Sequence, residues 1–187
     1  AVNPDVAIYV PAGWGFGSPD PETGRKLRKG HRWLVEEYYA LEESTKIAPG
    51  VHLIHTSSPH TGLFWKYPPY EEDPKLYELK ELSLALTTES GDVFLVVGCS
   101  HSGIGEIVKE TRKALDAEIA LVTGGFHLNP YSREYVAALA QEMKDDLGVK
   151  RVAPTHCTGD DAIEVFGEIY GENALWAGLG ARISIPD

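Results

Sequence analysis

Three clusters of cysteine, histidine and small polar residues each follow an apolar run of the sequence. They are residues 98–101 (Gly-Cys-Ser-His), 124–127 (Gly-Gly-Phe-His) and 154–159 (Pro-Thr-His-Cys-Thr-Gly). Thiolate and imidazole are ligands that suit zinc and other borderline transition metals, and imidazole also exchanges protons near neutral pH. These residue types therefore predict a metal site or acid–base chemistry.

The two cysteines of the chain, Cys99 and Cys157, both lie in these clusters. Two cysteines are too few for a disulfide framework, and their place in short polar motifs indicates chemistry or a metal. Cys99 has three open interpretations: a metal ligand, a reactive thiol, or a small buried residue at a tight turn.

The elements that must position the clusters are predicted from apolar runs and from helical periodicity. We expect strands at residues 6–10, 50–55, 82–87, 93–97, 119–123, 152–153 and 181–185, and helices at residues 104–115, 132–147 and 160–170. The alternation of strands and helices in the C-terminal half predicts an α/β fold.

The clusters are expected to meet at one edge of the sheet. In open α/β sheets, ligands gather at the carboxyl ends of the strands, and each cluster directly follows a predicted strand. His101, His127 and His156 are therefore predicted to fall along one edge. The other histidines do not share this context, and positions 52 and 55 of a strand would face opposite sides.

Two predicted helix starts follow the polar clusters and offer free backbone N–H groups. Thr158 and Gly159 precede the third predicted helix, and Ser100 stands just before the first. A helix start can bind an anionic group, although Asp160 and Asp161 could equally cap the helix and repel one. Ser100, Thr158 and Gly159 are the predicted substrate-binding positions.

The composition and net charge of the chain indicate which classes of protein it can belong to. The chain has 187 residues, 43% of them apolar, which is enough for one compact domain spanning residues 1–187. Its 28 acidic and 17 basic residues give a net charge of −11, which argues against a general nucleic-acid or membrane-surface binder. With neither a membrane-spanning run nor a signal peptide in the sequence, a cytoplasmic location is expected.

At residues 97–104, 124–128 and 154–159 the sequence resembles a known family. The three ordered motifs look like those of the metallo-β-lactamase-fold proteins of the 7,8-dihydropterin-6-methyl-4-(β-D-ribofuranosyl)-aminobenzene-5′-phosphate synthase subfamily. The resemblance covers about residues 80–185 well and the first 80 residues loosely.

The resemblance implies a four-layered αββα sandwich, here mainly its C-terminal half, with a metal centre, often dinuclear, at the sheet edges. Cys99 stands where most of the superfamily has a bridging aspartate, and His156 matches the last metal-binding histidine. His101 is then a further ligand or a substrate contact. The predicted ligands are Cys99, His101 and His156, and His127 is the predicted proton-transfer residue.

The sequence departs from the superfamily pattern in its first half. The main metal motif, HxHxDH, is not found, and residues 55–60 (His-Thr-Ser-Ser-Pro-His) have neither its spacing nor its aspartate. We expect this half-site to lie on a preceding segment or on another polypeptide, or to be lost. The chain alone would then hold a single metal weakly.

The resulting functional expectation is a metal-dependent hydrolase-like or pterin-phosphate synthase-like enzyme acting on a phosphorylated small molecule. Its cofactor would be a divalent transition metal, with zinc ahead of manganese and iron. A non-catalytic binding or assembly module that keeps the fold is the alternative, and a thiol enzyme using Cys99 is a third. The aromatic loop at residues 64–70 is predicted to be a lid or a homo-oligomer contact.

Overall fold

The computed structural model describes residues 7–12, 39–58 and 79–184. Its strands are β1 (Tyr9–Pro11), β2 (Tyr39–Leu41), β3 (Thr45–Ala48), β4 (Val51–Ser58), β5 (Leu79–Thr87), β6 (Val93–Val97), β7 (Ile119–Gly125) and β8 (Val152–Thr155). Its α-helices are α1 (Ile104–Leu115), α2 (Arg133–Asp145) and α3 (Asp160–Tyr170), and two 3₁₀ turns cover His156–Thr158 and Gly171–Asn173.

The main sheet has six strands in the order β3-β4-β5-β6-β7-β8. Neighbours from β3 to β6 pair antiparallel, whereas β6, β7 and β8 are parallel. Parallel neighbours need a crossover connection, and here α1 and α2 provide it. Strands β1 and β2 form a separate two-stranded parallel sheet.

The parallel half of the sheet is covered on both faces. In β6, Val93, Leu95 and Val97 belong to the main core cluster, which includes residues of all three helices, while Phe94 belongs to a second cluster. Leu175, in the segment after α3, packs against that second cluster. Burial on both sides explains the apolar residues of β6 at Val93–Leu95 and Val97, whereas Val96 is 38% exposed.

Helix α3 packs one apolar side against this core. Ala162, Val165, Phe166 and Tyr170 are buried, and the Phe166 ring meets Phe126 edge-on with ring centroids 5.3 Å apart. Phe126 lies just after β7, so this contact attaches α3 to the same sheet edge that carries the polar clusters.

The predicted fold class is confirmed: the chain has a mixed sheet with helices packed on it. Helices α1 and α3 have the expected bounds, and α2 begins after its N-cap Ser132, whose side chain accepts a hydrogen bond from the Tyr135 N–H. The expected strands of the C-terminal half are present except the last, and β1 and β4 lie close to the two expected in the first half.

The strand predicted at residues 181–185 is wrong for the part that the structure describes. Residues 181–184 have no regular secondary structure. Ile183 instead packs against the second core cluster, so its apolar side chain covers the sheet without pairing with it. The loop at residues 64–70 and His60 lie outside the described residues. Within the described ranges, no helix has the length and apolar character needed to cross a membrane.

Replacing Phe166 by alanine is expected to destabilise the fold. The side chain is fully buried, so truncation removes apolar contacts and leaves a cavity, lowering the free energy of unfolding by about 3–5 kcal/mol. The matched control is Ile163→Ala on the same helix, where the side chain is 37% exposed and the loss should be about 1 kcal/mol or less. Urea unfolding followed by circular dichroism measures both, and equal losses would contradict this packing.

Candidate metal centre

The three polar clusters lie together at the carboxyl ends of β6, β7 and β8. Val97 is in register with Gly124, and Gly125 with Thr155. The residues that follow these positions therefore leave the sheet at one edge, as the strand order requires.

Cys99, His156 and Cys157 form a compact group of possible metal ligands. Their ligand atoms all lie within 4.8 Å of one another, and Cys99 Sγ is 3.2 Å from His156 Nε2. Bond lengths of about 2.3 Å to sulfur and 2.0 Å to nitrogen put tetrahedral ligands of zinc about 3.5 Å apart. The group therefore fits a transition metal in both spacing and chemistry.

Cys157 is the member of this group that the sequence analysis left out of the predicted ligands. Its Sγ is 3.5 Å from the Cys99 carbonyl oxygen, to which the thiol donates. Burial first, and the neighbouring Cys99 second, raise the pKa of the Cys157 thiol to about 11. The free thiol is then protonated at neutral pH, and binding a metal would release that proton. Its sequence signals were its place beside His156 and in a polar cluster that follows a predicted strand.

Backbone strain is concentrated in the same place. Ser100, His127 and His156 have φ values of 57°, 56° and 56°, in the left-handed region that residues with a Cβ rarely adopt. Outside the clusters, the one described non-glycine residue with positive φ is Asp116, at the end of α1. Strain of this kind is found most often at functional sites.

Two glycines let the strand ends approach each other. A Cβ at Gly125 would lie 2.7 Å from Cys157 Sγ and 3.1 Å from the His156 ring. A Cβ at Gly124, where φ is 127°, would lie 2.1 Å from the Val97 carbonyl oxygen. Any side chain at these positions would push β7 away from β6 and from the ligand group.

Two of the predicted substrate-binding residues use their hydroxyls to join the clusters. The Ser100 hydroxyl donates to the Gly125 carbonyl at 2.6 Å. The Thr158 hydroxyl donates to the Thr155 carbonyl at 2.6 Å and accepts from the Phe126 N–H at 3.0 Å. Both side chains are buried and both hydroxyl protons are donated to backbone. Substrate binding by Ser100 and Thr158 stays a prediction, and backbone N–H groups would have to provide it.

Gly159, the third predicted substrate-binding residue, precedes α3 with a φ of 85°. A Cβ there would lie 2.6 Å from Asn129 Oδ1, so the position needs glycine. No side chain caps the start of α3, whose first turn carries Asp160 and Asp161. The role of Gly159 in substrate binding also stays a prediction.

His101 lies beside the ligand group but outside it. Its Nδ1 is 3.5 Å from Glu81 Oε1, and its ring meets that of His127 edge-on with centroids 4.5 Å apart. The ligand role of His101 and the proton-transfer role of His127 therefore stay predictions. Glu81 was not predicted from the sequence. Its one signal is that a charged residue stands on the same side of β5 as the buried Ser83 and Ala85.

Both histidines are shifted toward the neutral form. Burial is the largest cause that lowers the pKa of His101; Glu81 opposes the shift and His156 adds to it. Burial and then His156 lower the pKa of His127. A neutral imidazole keeps one nitrogen able to accept a proton or bind a metal.

Comparison with known proteins gives two curated relatives. No family model matches the chain. It is 38% identical over 94 residues to the 7,8-dihydropterin-6-methyl-4-(β-D-ribofuranosyl)-aminobenzene-5′-phosphate synthase of Methanocaldococcus jannaschii, a match that covers 50% of this chain and 31% of the relative. An uncharacterized protein of the same organism is 35% identical over 92 residues, covering 49% and 33%. The chain thus spans about a third of the length of these relatives.

A solved structure shows the same architecture. Tm1679, described as a metal-dependent hydrolase of the β-lactamase superfamily, aligns with 80% of this chain and 59% of its own, with a TM-score of 0.65 and 26% identity. The resemblance inferred from the three motifs is confirmed: this chain has a β-lactamase-superfamily fold and resembles the pterin-phosphate synthase.

Proposed function

We propose that this chain is a metal-dependent hydrolase-like or pterin-phosphate synthase-like enzyme that acts on a phosphorylated small molecule. Cys99, His156 and Cys157 would hold a divalent transition metal. One observation carries the proposal: two sulfur atoms and one imidazole nitrogen lie within 4.8 Å of one another at the carboxyl ends of the parallel strands. Support also comes from Tm1679, a metal-dependent hydrolase of similar fold.

The donor chemistry favours zinc. Two thiols and an imidazole suit zinc, whereas magnesium and calcium prefer oxygen ligands. Manganese and iron are the other candidates. Three protein ligands would leave a fourth position open for substrate, as in catalytic rather than structural zinc sites.

The chemistry divides between the bound ion and the protein. A divalent cation in this place supplies Lewis-acid polarisation of a carbonyl or phosphoryl oxygen. His127 would transfer protons, because its imidazole is half-buried at the same strand edge and its ring contacts that of His101. His101 would orient substrate or add a ligand.

The phosphorylated substrate is inferred by analogy and from one local feature. The name of the Methanocaldococcus jannaschii relative includes a 5′-phosphate. The uncapped start of α3, after Gly159 and shortly after His156 in the sequence, presents backbone N–H groups, and such groups bind phosphate. Asp160 and Asp161 oppose an anion there, so a bound cation would have to offset their charge.

The proposal includes a second half-site. None of the 187 residues forms the HxHxDH motif, and the chain spans only part of the length of its relatives. A dinuclear centre would take its other ligands from a segment or polypeptide that carries this motif. We therefore propose full activity only for this chain together with the second half-site.

Metal content is the first test. The purified chain, loaded with zinc and passed through a desalting column, should retain about one ion per chain by inductively coupled plasma mass spectrometry. Cys99→Ala and His156→Ala should each retain far less, because each removes one of three ligands. Cys157→Ala should also lose metal, which separates this ligand set from one that uses His101.

The control is His52→Gln. His52 lies on β4, which β5 separates from β6. Through Ala85 of β5 it is level with Leu95 of β6, four residues before Cys99, so it lies away from the ligand group. This variant should keep its metal. A wild-type chain that retains no zinc, manganese or iron would contradict the proposal, as would equal retention in all the variants.

The close approach of β7 gives a second, geometric test. Gly125→Ala should lower the zinc affinity at least about tenfold, because the new methyl group would displace the Cys157 sulfur and the His156 ring. Gly98→Ala is the matched control, since a Cβ there would meet no atom within 4 Å. Competition with a chromogenic chelator measures both affinities, and equal values would refute the geometric link.

Catalysis has its own assay. The metal-loaded chain should hydrolyse a phosphoester such as p-nitrophenyl phosphate, alone or mixed with a separately expressed polypeptide that carries the HxHxDH motif. His127→Gln should lower the rate by about 10²-fold or more while the metal stays bound, since a proton-transfer residue contributes about that much. Metal binding without turnover, both in the chain alone and in the mixture, would favour the non-catalytic module.

A further inference from the structure

Glu81 places a carboxylate against His101, beside the candidate metal centre, from a different part of the sheet. It lies on β5, opposite Thr56 of β4, whereas the polar clusters follow β6, β7 and β8. Its side chain is 18% exposed. A carboxylate this far from water needs partners that offset its lost hydration.

One oxygen of this carboxylate is held by the turn that leads into α1. Glu81 Oε2 accepts hydrogen bonds from the Ser102 backbone N–H at 2.6 Å and from the Ser102 hydroxyl at 2.7 Å. Both bonds are short and charge-assisted, and together they fix the orientation of the carboxylate.

The other oxygen faces the imidazole of His101. Because Oε2 is held by Ser102, Oε1 is directed to His101 Nδ1, at a distance of 3.5 Å. A carboxylate cannot donate a proton in its ionised form, so it favours the tautomer that carries the proton on Nδ1. Nε2 then carries the lone pair that can bind a metal or take a substrate proton, as in the carboxylate–histidine pairs around many metal sites.

From this arrangement we infer that Glu81 is a positioning residue: by holding Ser102 and facing His101 Nδ1, it sets the tautomer and orientation of the His101 imidazole. The consequence for catalysis rests on the proposed function. The pairing of Glu81 with His101 does not, and it can be tested with or without metal.

The test is the tautomer of His101, read from long-range ¹H–¹⁵N correlation spectra at about pH 8, above the ordinary imidazole pKa of about 6.5. The His101 signals are assigned by their loss in His101→Gln. Wild-type protein should show a protonated Nδ1 and an unprotonated Nε2, both as isolated and after chelator treatment.

Glu81→Gln should reverse this tautomer. The two Ser102 donors require an acceptor, so the oxygen of the new amide would turn to them and the amide NH₂ group would face His101 Nδ1. Nδ1 must then accept, and the proton moves to Nε2. Ser102→Ala is the control: it removes one hydrogen bond to Glu81 and should lower the melting temperature without changing the tautomer.

A wild-type His101 protonated on Nε2 would overturn the inference, even if Glu81→Gln fails to fold. An unchanged tautomer in folded Glu81→Gln would overturn it as well. A chain that shows the expected tautomers but retains no metal would refute the proposed function and support this pairing.

Discussion

The close approach of three parallel strand ends is the constraint on which the site depends. β7 lies between β6 and β8, and its last two residues, Gly124 and Gly125, have no side chain to separate it from Val97 or from Cys157. The end of β7 also contacts the residue that follows β6, because the Gly125 N–H donates to the Gly98 carbonyl at 2.9 Å. Two thiols and an imidazole can then share a space of less than 5 Å, although 57 residues separate Cys99 from His156.

The rest of the fold supports that edge. The Ser100 hydroxyl donates to the Gly125 carbonyl of β7, and the Thr158 hydroxyl accepts from the Phe126 N–H. These two bonds join the three clusters. Phe126, between Gly125 and His127, is buried against Phe166 of α3 and anchors the segment that carries His127. These contacts maintain the left-handed backbone at Ser100, His127 and His156, which would be unfavourable in an unconstrained chain. The buried core thus holds a strained edge in place, as expected where geometry matters for function.

Much of this arrangement could be predicted from the sequence, for identifiable physical reasons. The run at β6 is uniformly apolar and the run at α1 has helical periodicity, so the bounds of both were predictable. Ligand-type residues that follow parallel strands must lie at one edge of the sheet. The prediction of a strand at residues 181–185 was wrong for the described residues, because an apolar residue such as Ile183 can cover a sheet without pairing with it. The ligand role of Cys157 and the role of Glu81 were not predicted, since both depend on side-chain direction across strands distant in sequence. The buried hydroxyls of Ser100 and Thr158 depend on it too.

In the proposed site, two sulfurs and one imidazole nitrogen of this chain bind one metal ion. X-ray absorption at the zinc edge of the loaded chain measures this directly. We expect two sulfur scatterers at about 2.3 Å and a nitrogen shell of imidazole type at about 2.0 Å, with one sulfur lost in Cys157→Ala. A first shell made only of nitrogen and oxygen, unchanged in that variant, would contradict it.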